Sequence, residues 1–259
     1  MAATPAPGAP VAIGIDIGGT GIKGAPVDLR TGRLVGARHL VPTPQPATPL
    51  AVAAAVRELR WQYADLPDDT PVGVTIPAVV RRGVTRTAAN IDPAWIGTHA
   101  VELFTVALGT PVVLLNDADA AGLAEIRLGA GRGEAGVVLV ITLGTGIGSA
   151  VFADGHLVPN TEFGHLTIDG VDCCPWASAA ARVRENLSWA QWAARLQEFL
   201  AYAESLMWPD LIIIGGAISH DADEFLPQLR LEAPVVRAEL AGDAGIIGAA
   251  YEAGESFRT

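Results

Sequence analysis

Residues 13–35, IGIDIGGTGIKGAPVDLRTGRLV, and residues 139–158, LVITLGTGIGSAVFADGHLV, carry one theme twice. Each is an apolar run ending in glycines, a Gly-Thr-Gly turn, a second strand, a tight turn and a third strand. Short apolar runs bounded by turn residues read as buried strands, and Asp154-Gly155 is a strong hairpin signal. Both halves then continue alike. After the first copy come a helix from Thr48 (a candidate N-cap) to Tyr63, a strand over 72–77, a helix over 101–108, a strand over 111–117 and a helix over 117–128. After the second come a long helical stretch over 176–207, a strand over 210–216, a helix near 221–230, a strand over 235–240 and a terminal helix from about Ala244. Strands alternating with helices imply α/β layers. The duplication implies two similar domains with a cleft between them. The expected division is a disordered Pro/Ala-rich leader over 1–10, an N-terminal α/β domain over 11–117 and a C-terminal α/β domain over 118–243. The helix at about 244–259 is expected to complete the N-terminal domain.

Composition narrows the class. The chain has 259 residues, 50% hydrophobic and 17% charged, which excludes wholesale disorder. No run approaches the roughly 18 apolar residues of a membrane helix. The first ten residues lack the charged and apolar regions of a signal peptide, so a cytoplasmic protein is expected. Seventeen basic against 28 acidic residues give a net charge of −11, a poor balance for binding nucleic acid or an anionic membrane. Of the seventeen, sixteen are arginines and one is Lys23. Cys173 and Cys174 are adjacent, too few for a disulfide framework and poorly spaced for one metal ion, so free buried thiols are expected.

Four stretches carry chemistry. In Asp16-Ile17-Gly18-Gly19-Thr20-Gly21-Ile22-Lys23, glycines let backbone N–H groups approach an anion, while Thr20 and Lys23 add donors. It is not a Walker A loop, because a strand and not a helix follows. Asp16, at a strand end, is placed to hold Mg²⁺ or its waters. Gly144-Thr145-Gly146 repeats the turn, and two such turns across a cleft would clamp phosphates; an ordinary hairpin turn is the alternative. Asn116-Asp117-Ala118-Asp119 sits where a strand hands over to a helix, and carboxylates at strand C-termini point to where α/β folds bind ligands. Asp117 could take a hydroxyl proton as that oxygen attacks phosphorus, or merely cap the helix. Glu162 and His165, three apart, suit recognition of a polyhydroxyl ligand, or are a capping Glu and a structural His.

Together with RTAANID (86–92), WPDLIIIGGAIS (208–219) and AGIIGAA (244–250), these stretches resemble the ROK family of sugar kinases, in the actin-like/hexokinase superfamily. Within it the chain looks very like the polyphosphate-using glucokinases. The resemblance implies two ribonuclease H-like (actin-like ATPase) domains with an interdomain cleft. By position it implies that Asp117 is the catalytic base and that Asn90, Asn116, Asp117, Glu162 and His165 contact glucose. It assigns phosphate binding to Gly18, Gly19, Thr20, Gly21, Lys23, Gly144, Thr145 and Gly146, with Asp16 toward Mg²⁺. The Cys-rich zinc loop of many members, which begins at the His of the E-x-G-H motif, is absent, so no zinc is expected. Pro77-Ala78 stands where Pro-Gly is expected; if that position needs a positive φ, Ala78 costs stability.

The expected activity is transfer of a phosphoryl group from inorganic polyphosphate to the 6-hydroxyl of glucose, giving glucose 6-phosphate. The alternatives are an ATP-dependent glucokinase or related hexose kinase, or an enzyme using both donors. A homodimer is expected from family habit. A sugar-sensing repressor would carry an N-terminal helix-turn-helix; with about ten Pro/Ala-rich residues before the first strand, that class is not expected. A dead sugar-binding protein would not need Asp117.

Overall fold

The structure is a computed structural model, and it describes residues 10–88, 91–240 and 242–257. The expected leader therefore lies almost wholly outside the described residues. In chain order the elements are β1 (Val11–Ile17), β2 (Gly21–Asp28), β3 (Arg33–Leu34), β4 (His39–Pro42), α1 (Pro49–Trp61), β5 (Val72–Ile76), β6 (Val80–Arg81), β7 (Val84–Thr85), α2 (Ala100–Leu108), β8 (Val112–Asn116) and α3 (Asp117–Leu128). There follow β9 (Val137–Leu143), β10 (Ile147–Ala153), β11 (His156–Val158), β12 (Thr167–Ile168), β13 (Val171–Asp172), α4 (Cys173–Ala177), α5 (Ala179–Arg184), α6 (Trp189–Met207), β14 (Leu211–Gly215), α7 (Ala222–Phe225), β15 (Val235–Arg237) and α8 (Ala244–Ser256). No helix among the described residues is long and apolar enough to cross a membrane.

The chain divides into two compact units, residues 1–124 with 243–259, and residues 125–242. The division passes within α3, seven residues after Asp117, and α8 belongs to the first unit. The first unit holds a sheet in the order β3-β2-β1-β5-β8, with β4 also on β2; the second holds β11-β10-β9-β14-β15. In both, the first three strands are antiparallel and the last two run parallel to the first. The repeated sequence theme is thus a repeated strand order.

In the first unit Ile13, Ile15, Val72, Val74 and Ile76 bury against Val52, Val56 and Leu59 of α1 and Phe104 of α2. In the second, Leu139, Ile141, Ile212 and Ile214 bury against Trp192, Leu196 and Phe199 of α6. On the first sheet, α8 comes closer than side chains normally allow. Gly14 and Gly73 are register partners on β1 and β5. A β-carbon on either would lie 1.9 Å from a carbonyl oxygen of α8, that of Ile246 or Ala249 respectively. Gly248 of α8 lies as closely on the carbonyl of Ala120 in α3, where a β-carbon would stand 1.8 Å away.

Three expected elements are broken. The strand expected within 33–41 is two, β3 and β4, with Gly36 packed on the Pro26 ring where the ladder lapses. The long helix expected over 176–207 is three: Ser178 and Ser188 are extended and cap the helices that follow them, and Asn186 takes φ 50°. Serine competes with the helix by bonding its own backbone neighbours, and Ser188 forms a reciprocal capping box with Gln191. The helix expected near 221–230 shrinks to α7 between 3₁₀ turns, because Pro227 cannot donate in a helix interior. The Asp154-Gly155 hairpin and the Thr48 cap form as expected, Thr48 Oγ1 accepting from the N–H of Ala51 at 3.4 Å.

The glycine contacts of α8 make a sharp expectation. Gly73→Ala should cost about 3 kcal/mol or more, at the upper end for overpacking because a carbonyl cannot rotate away. Urea denaturation midpoints check this, and a midpoint equal to that of the parent would refute the close approach.

Candidate active site

The C-terminal ends of β1, β5 and β8 set the charged groups of the first unit in a row. Asp16 pairs in register with Thr75, and Thr75 with Leu115, two residues before Asp117. A polar side chain in an apolar strand needs a partner, and the wholly buried Thr75 donates its hydroxyl to Asp16 Oδ1 at 2.7 Å. Asp16 Oδ2 forms an ion pair with Lys23 Nζ at 3.2 Å across the β1–β2 ladder. The same oxygen lies against Gly245 in the first turn of α8, where a β-carbon would come within 2.8 Å. A helix N-terminus favours a carboxylate.

The Gly18–Gly21 turn closes with the N–H of Gly18 donating to the carbonyl of Gly21 at 3.0 Å. Thr43 Oγ1 donates to the Gly18 carbonyl at 2.6 Å and Gln45 Nε2 to that of Gly19 at 3.4 Å. These two residues lie on the Pro-rich loop before α1, and residue spacing gave no signal for them. Thr20 is exposed at the tip.

At the β8–α3 junction the cap falls to Asn116. Its Oδ1 accepts from the N–H groups of Ala118 at 2.8 Å and Asp119 at 3.1 Å, and its Nδ2 donates to the Ala78 carbonyl at 3.3 Å. Asn116 thus holds the N-cap position, while Asp117, the first residue of α3, accepts on its Oδ1 from the N–H of Ala118 at 3.0 Å, and its side chain is half-buried. Ala78 is buried and is not among the positive-φ residues, so alanine there carries no backbone strain. Asn90 lies outside the described residues.

The second unit brings together its own set. The Gly144–Gly146 turn closes with the N–H of Gly144 donating to the carbonyl of Gly146, and Ala180 of α5 donates to the Gly144 carbonyl, both at 3.0 Å. Open space faces Gly144, whereas a β-carbon on Gly146 would come 2.9 Å from Cys174 Sγ. That sulfur accepts from the N–H of Ile147 at 3.4 Å. The expectation of two buried thiols holds for Cys173 only; Cys174 is partly exposed under the turn. Burial pushes both thiols above their ordinary range, so both are protonated at neutral pH. Gly216 lies on Leu143 with φ 85°, which brings the end of β14 beside the same turn.

Glu162 precedes, and His165 ends, a 3₁₀ turn, Phe163–His165. Ser149 of β10 anchors it: its Oγ accepts from the N–H of Phe163 at 2.9 Å and donates to the Thr161 carbonyl at 2.7 Å. Gly164 lies on the Ile147 carbonyl, where a β-carbon would come within 2.0 Å. Surrounding protein raises the Glu162 carboxyl above the ordinary range by desolvation, and His165 pulls it down in part. The side chain still meets solvent, which limits the rise. No group of three or more His, Cys, Asp or Glu side chains suited to a metal ion occurs among the described residues.

Two hairpin turns with open tips, carboxylates at the ends of parallel strands and a repeated ribonuclease H-like strand order define a class. The ROK family profile matches residues 12–181, and the chain belongs to the ROK family, whose solved members have the actin-like ATPase fold. It is 48% identical over 242 residues to the polyphosphate glucokinase of Mycobacterium tuberculosis, a span of 92% of this chain and 89% of that one. Its structure matches the inorganic polyphosphate/ATP-glucomannokinase of Arthrobacter sp. strain KM with TM-score 0.91 at 54% identity, over 95% and 99% of the two chains. It matches the ROK glucokinase of Streptomyces griseus in complex with glucose and AMPPNP with TM-score 0.82 at 27% identity, over 95% and 99%.

Desolvation of Glu162 gives a pH signature. Its folded-state affinity for a proton exceeds the unfolded one, so ionising it costs stability as pH rises from the unfolded value through the folded one; below both the cost vanishes. Glu162→Gln should therefore gain stability over the parent between acid and neutral pH and match it in acid. Urea midpoints across that range test this, and a difference that does not vary with pH would refute it.

Proposed function

We propose that this chain is a polyphosphate glucokinase, moving the terminal phosphoryl group of inorganic polyphosphate to the 6-hydroxyl of glucose. The observation that carries the reading is Asp117. It stands at the C-terminal end of a parallel strand, with Asn116 taking the capping duty beside it, in a chain 48% identical to a polyphosphate glucokinase. Its carboxylate accepts the proton of the 6-hydroxyl as that oxygen attacks the terminal phosphorus. The bond to the bridging oxygen breaks, its electron pair stays on that oxygen, and the polyphosphate leaves one unit shorter. The family resemblance assigns Asn90, Asn116, Glu162 and His165 to sugar recognition. Backbone N–H groups of Gly18–Gly21 and Gly144–Gly146, the hydroxyls of Thr20 and Thr145, and Lys23 meet the phosphate oxygens.

Asp16 offers one hard carboxylate, with Thr75 and Lys23 already on its two oxygens. That donor set fits Mg²⁺, which keeps most of its waters and takes one or two carboxylates together with substrate phosphates. When bound, the ion would offset phosphate charge, with Asp16 holding it or its waters. Donor affinity should then fall steeply as Mg²⁺ is chelated; an affinity indifferent to chelation would remove the ion from the reading.

ATP as a second donor is favoured by the likeness to the Arthrobacter enzyme, whose name gives both donors. Glucose 6-phosphate formation from polyphosphate and from ATP, measured side by side, separates the readings: turnover with ATP alone would overturn the first. Asp117→Asn should lower kcat about a thousandfold with glucose binding largely kept, and retained turnover would refute the assigned base. A cytoplasmic homodimer belongs to the same proposal; sedimentation velocity giving a monomer would strike out the dimer.

A further inference from the structure

One carboxylate that the assigned roles leave out touches two parts of the second unit's site. Asp172 ends β13 and caps α4, its Oδ1 accepting from the N–H of Cys174 at 2.9 Å. Its other oxygen, Oδ2, lies 3.4 Å from Nδ1 of His165. The β12–β13 ladder, in which Thr167 pairs with Asp172, brings them together, since Thr167 is two residues beyond His165. Through Cys174, α4 also reaches the N–H of Ile147 and the close side of Gly146. One side chain thus joins the imidazole to the glycine turn.

An ionised carboxylate only accepts hydrogen bonds, so the ring nitrogen facing it carries the proton. In a neutral imidazole the other nitrogen is then a lone-pair acceptor. We propose that Asp172 is a positioning residue that holds His165 as the Nδ1–H tautomer, so that Nε2 accepts from a sugar hydroxyl. Glu162 in its ionised form is likewise an acceptor. Two acceptors three residues apart call for two hydroxyl protons, and each hydroxyl has one, so the matching ligand presents two neighbouring hydroxyls. A sugar with one of the pair removed or inverted leaves an acceptor without its donor. The sugar part of the inference rests on the glucokinase reading, whereas the tautomer stands without it.

Substitution separates orientation from capping. Asp172→Asn keeps an oxygen for the α4 cap, since Asn caps as well as Asp, but turns an NH₂ donor toward Nδ1 and moves the ring proton to Nε2. Asp172→Ser keeps the cap and withdraws the partner. Two-bond ¹H–¹⁵N correlation spectra at alkaline pH, with His165→Gln to assign the signal, should show Nδ1 protonated in the parent and Nε2 protonated in Asp172→Asn. Steady-state kinetics should show the glucose KM raised about tenfold in Asp172→Asn, with the polyphosphate KM within about twofold of the parent. Asp172→Ser should fall between them. An Nε2-protonated parent, or an unchanged glucose KM in both variants, would overturn the inference. A parent that turns over no glucose would sink the glucokinase reading, and the spectra would still decide the tautomer. If Asp172→Asn does not fold, the parent spectrum and Asp172→Ser carry the test.

Discussion

The first unit depends on a contact between backbones. Helices and sheets normally stand about 10 Å apart, because side chains fill the space between them. On β1 and β5 the register partners Gly14 and Gly73 clear a notch, and the carbonyls of Ile246 and Ala249 occupy it. Sunk that far, α8 brings its first turn against the Asp16 carboxylate at Gly245 and sets Gly248 on the first turns of α3 at Ala120. The last helix of the chain thus abuts both the carboxylate that follows the first strand's core and the helix that begins with Asp117. Absence of a side chain at four glycines does what no side chain could.

Buried hydroxyls serve the same end on a smaller scale. Thr75 in one sheet and Ser149 in the other stand in apolar strands, where an unpaired hydroxyl would be costly. Thr75 settles on Asp16, and Ser149 on the loop that leads to Glu162 and His165. Thr75 thus ties strand to strand, and Ser149 ties a loop to a strand. The two units share a strand order but not an electrostatic character. The first gathers Asp16, Lys23 and Asp117 at its strand ends, while the second offers a neutral turn backed by a protonated thiol, with Glu162 and His165 beside it.

Much of this was legible before any coordinates. The duplicated Gly-Thr-Gly theme announced the repeated strand order, and apolar runs bounded by turn residues located β1, β5, β8, β9 and β14 to within a residue or two. Hydrophobic periodicity did worse across 176–207. It does not register the breaks at Ser178 and Ser188, where local hydrogen bonds end one helix and start the next. Asp16, Lys23, Asn116 and Asp117 stood out as polar residues at the ends of apolar strands, and Glu162 and His165 as a carboxylate and an imidazole three apart. Thr43, Thr75, Ser149 and Asp172 did not, since each looks ordinary until its partner, far along the chain or across a short ladder, is known.

By itself the sequence determined the α/β class, the internal repeat and the residue types available for chemistry, because these follow from local periodicity and turn preference. Only the tertiary structure decided what each group does. Asn116 holds the N-cap position, its amide oxygen accepting from two helical N–H groups. Ala78, where the resemblance led to an expected glycine, carries no strain, because its backbone is not in the positive-φ region. The single lysine lies on the Asp16 carboxylate because antiparallel pairing sets the two residues opposite each other, seven positions apart in the chain. Such facts depend on distances between residues remote in sequence, and no local pattern encodes them.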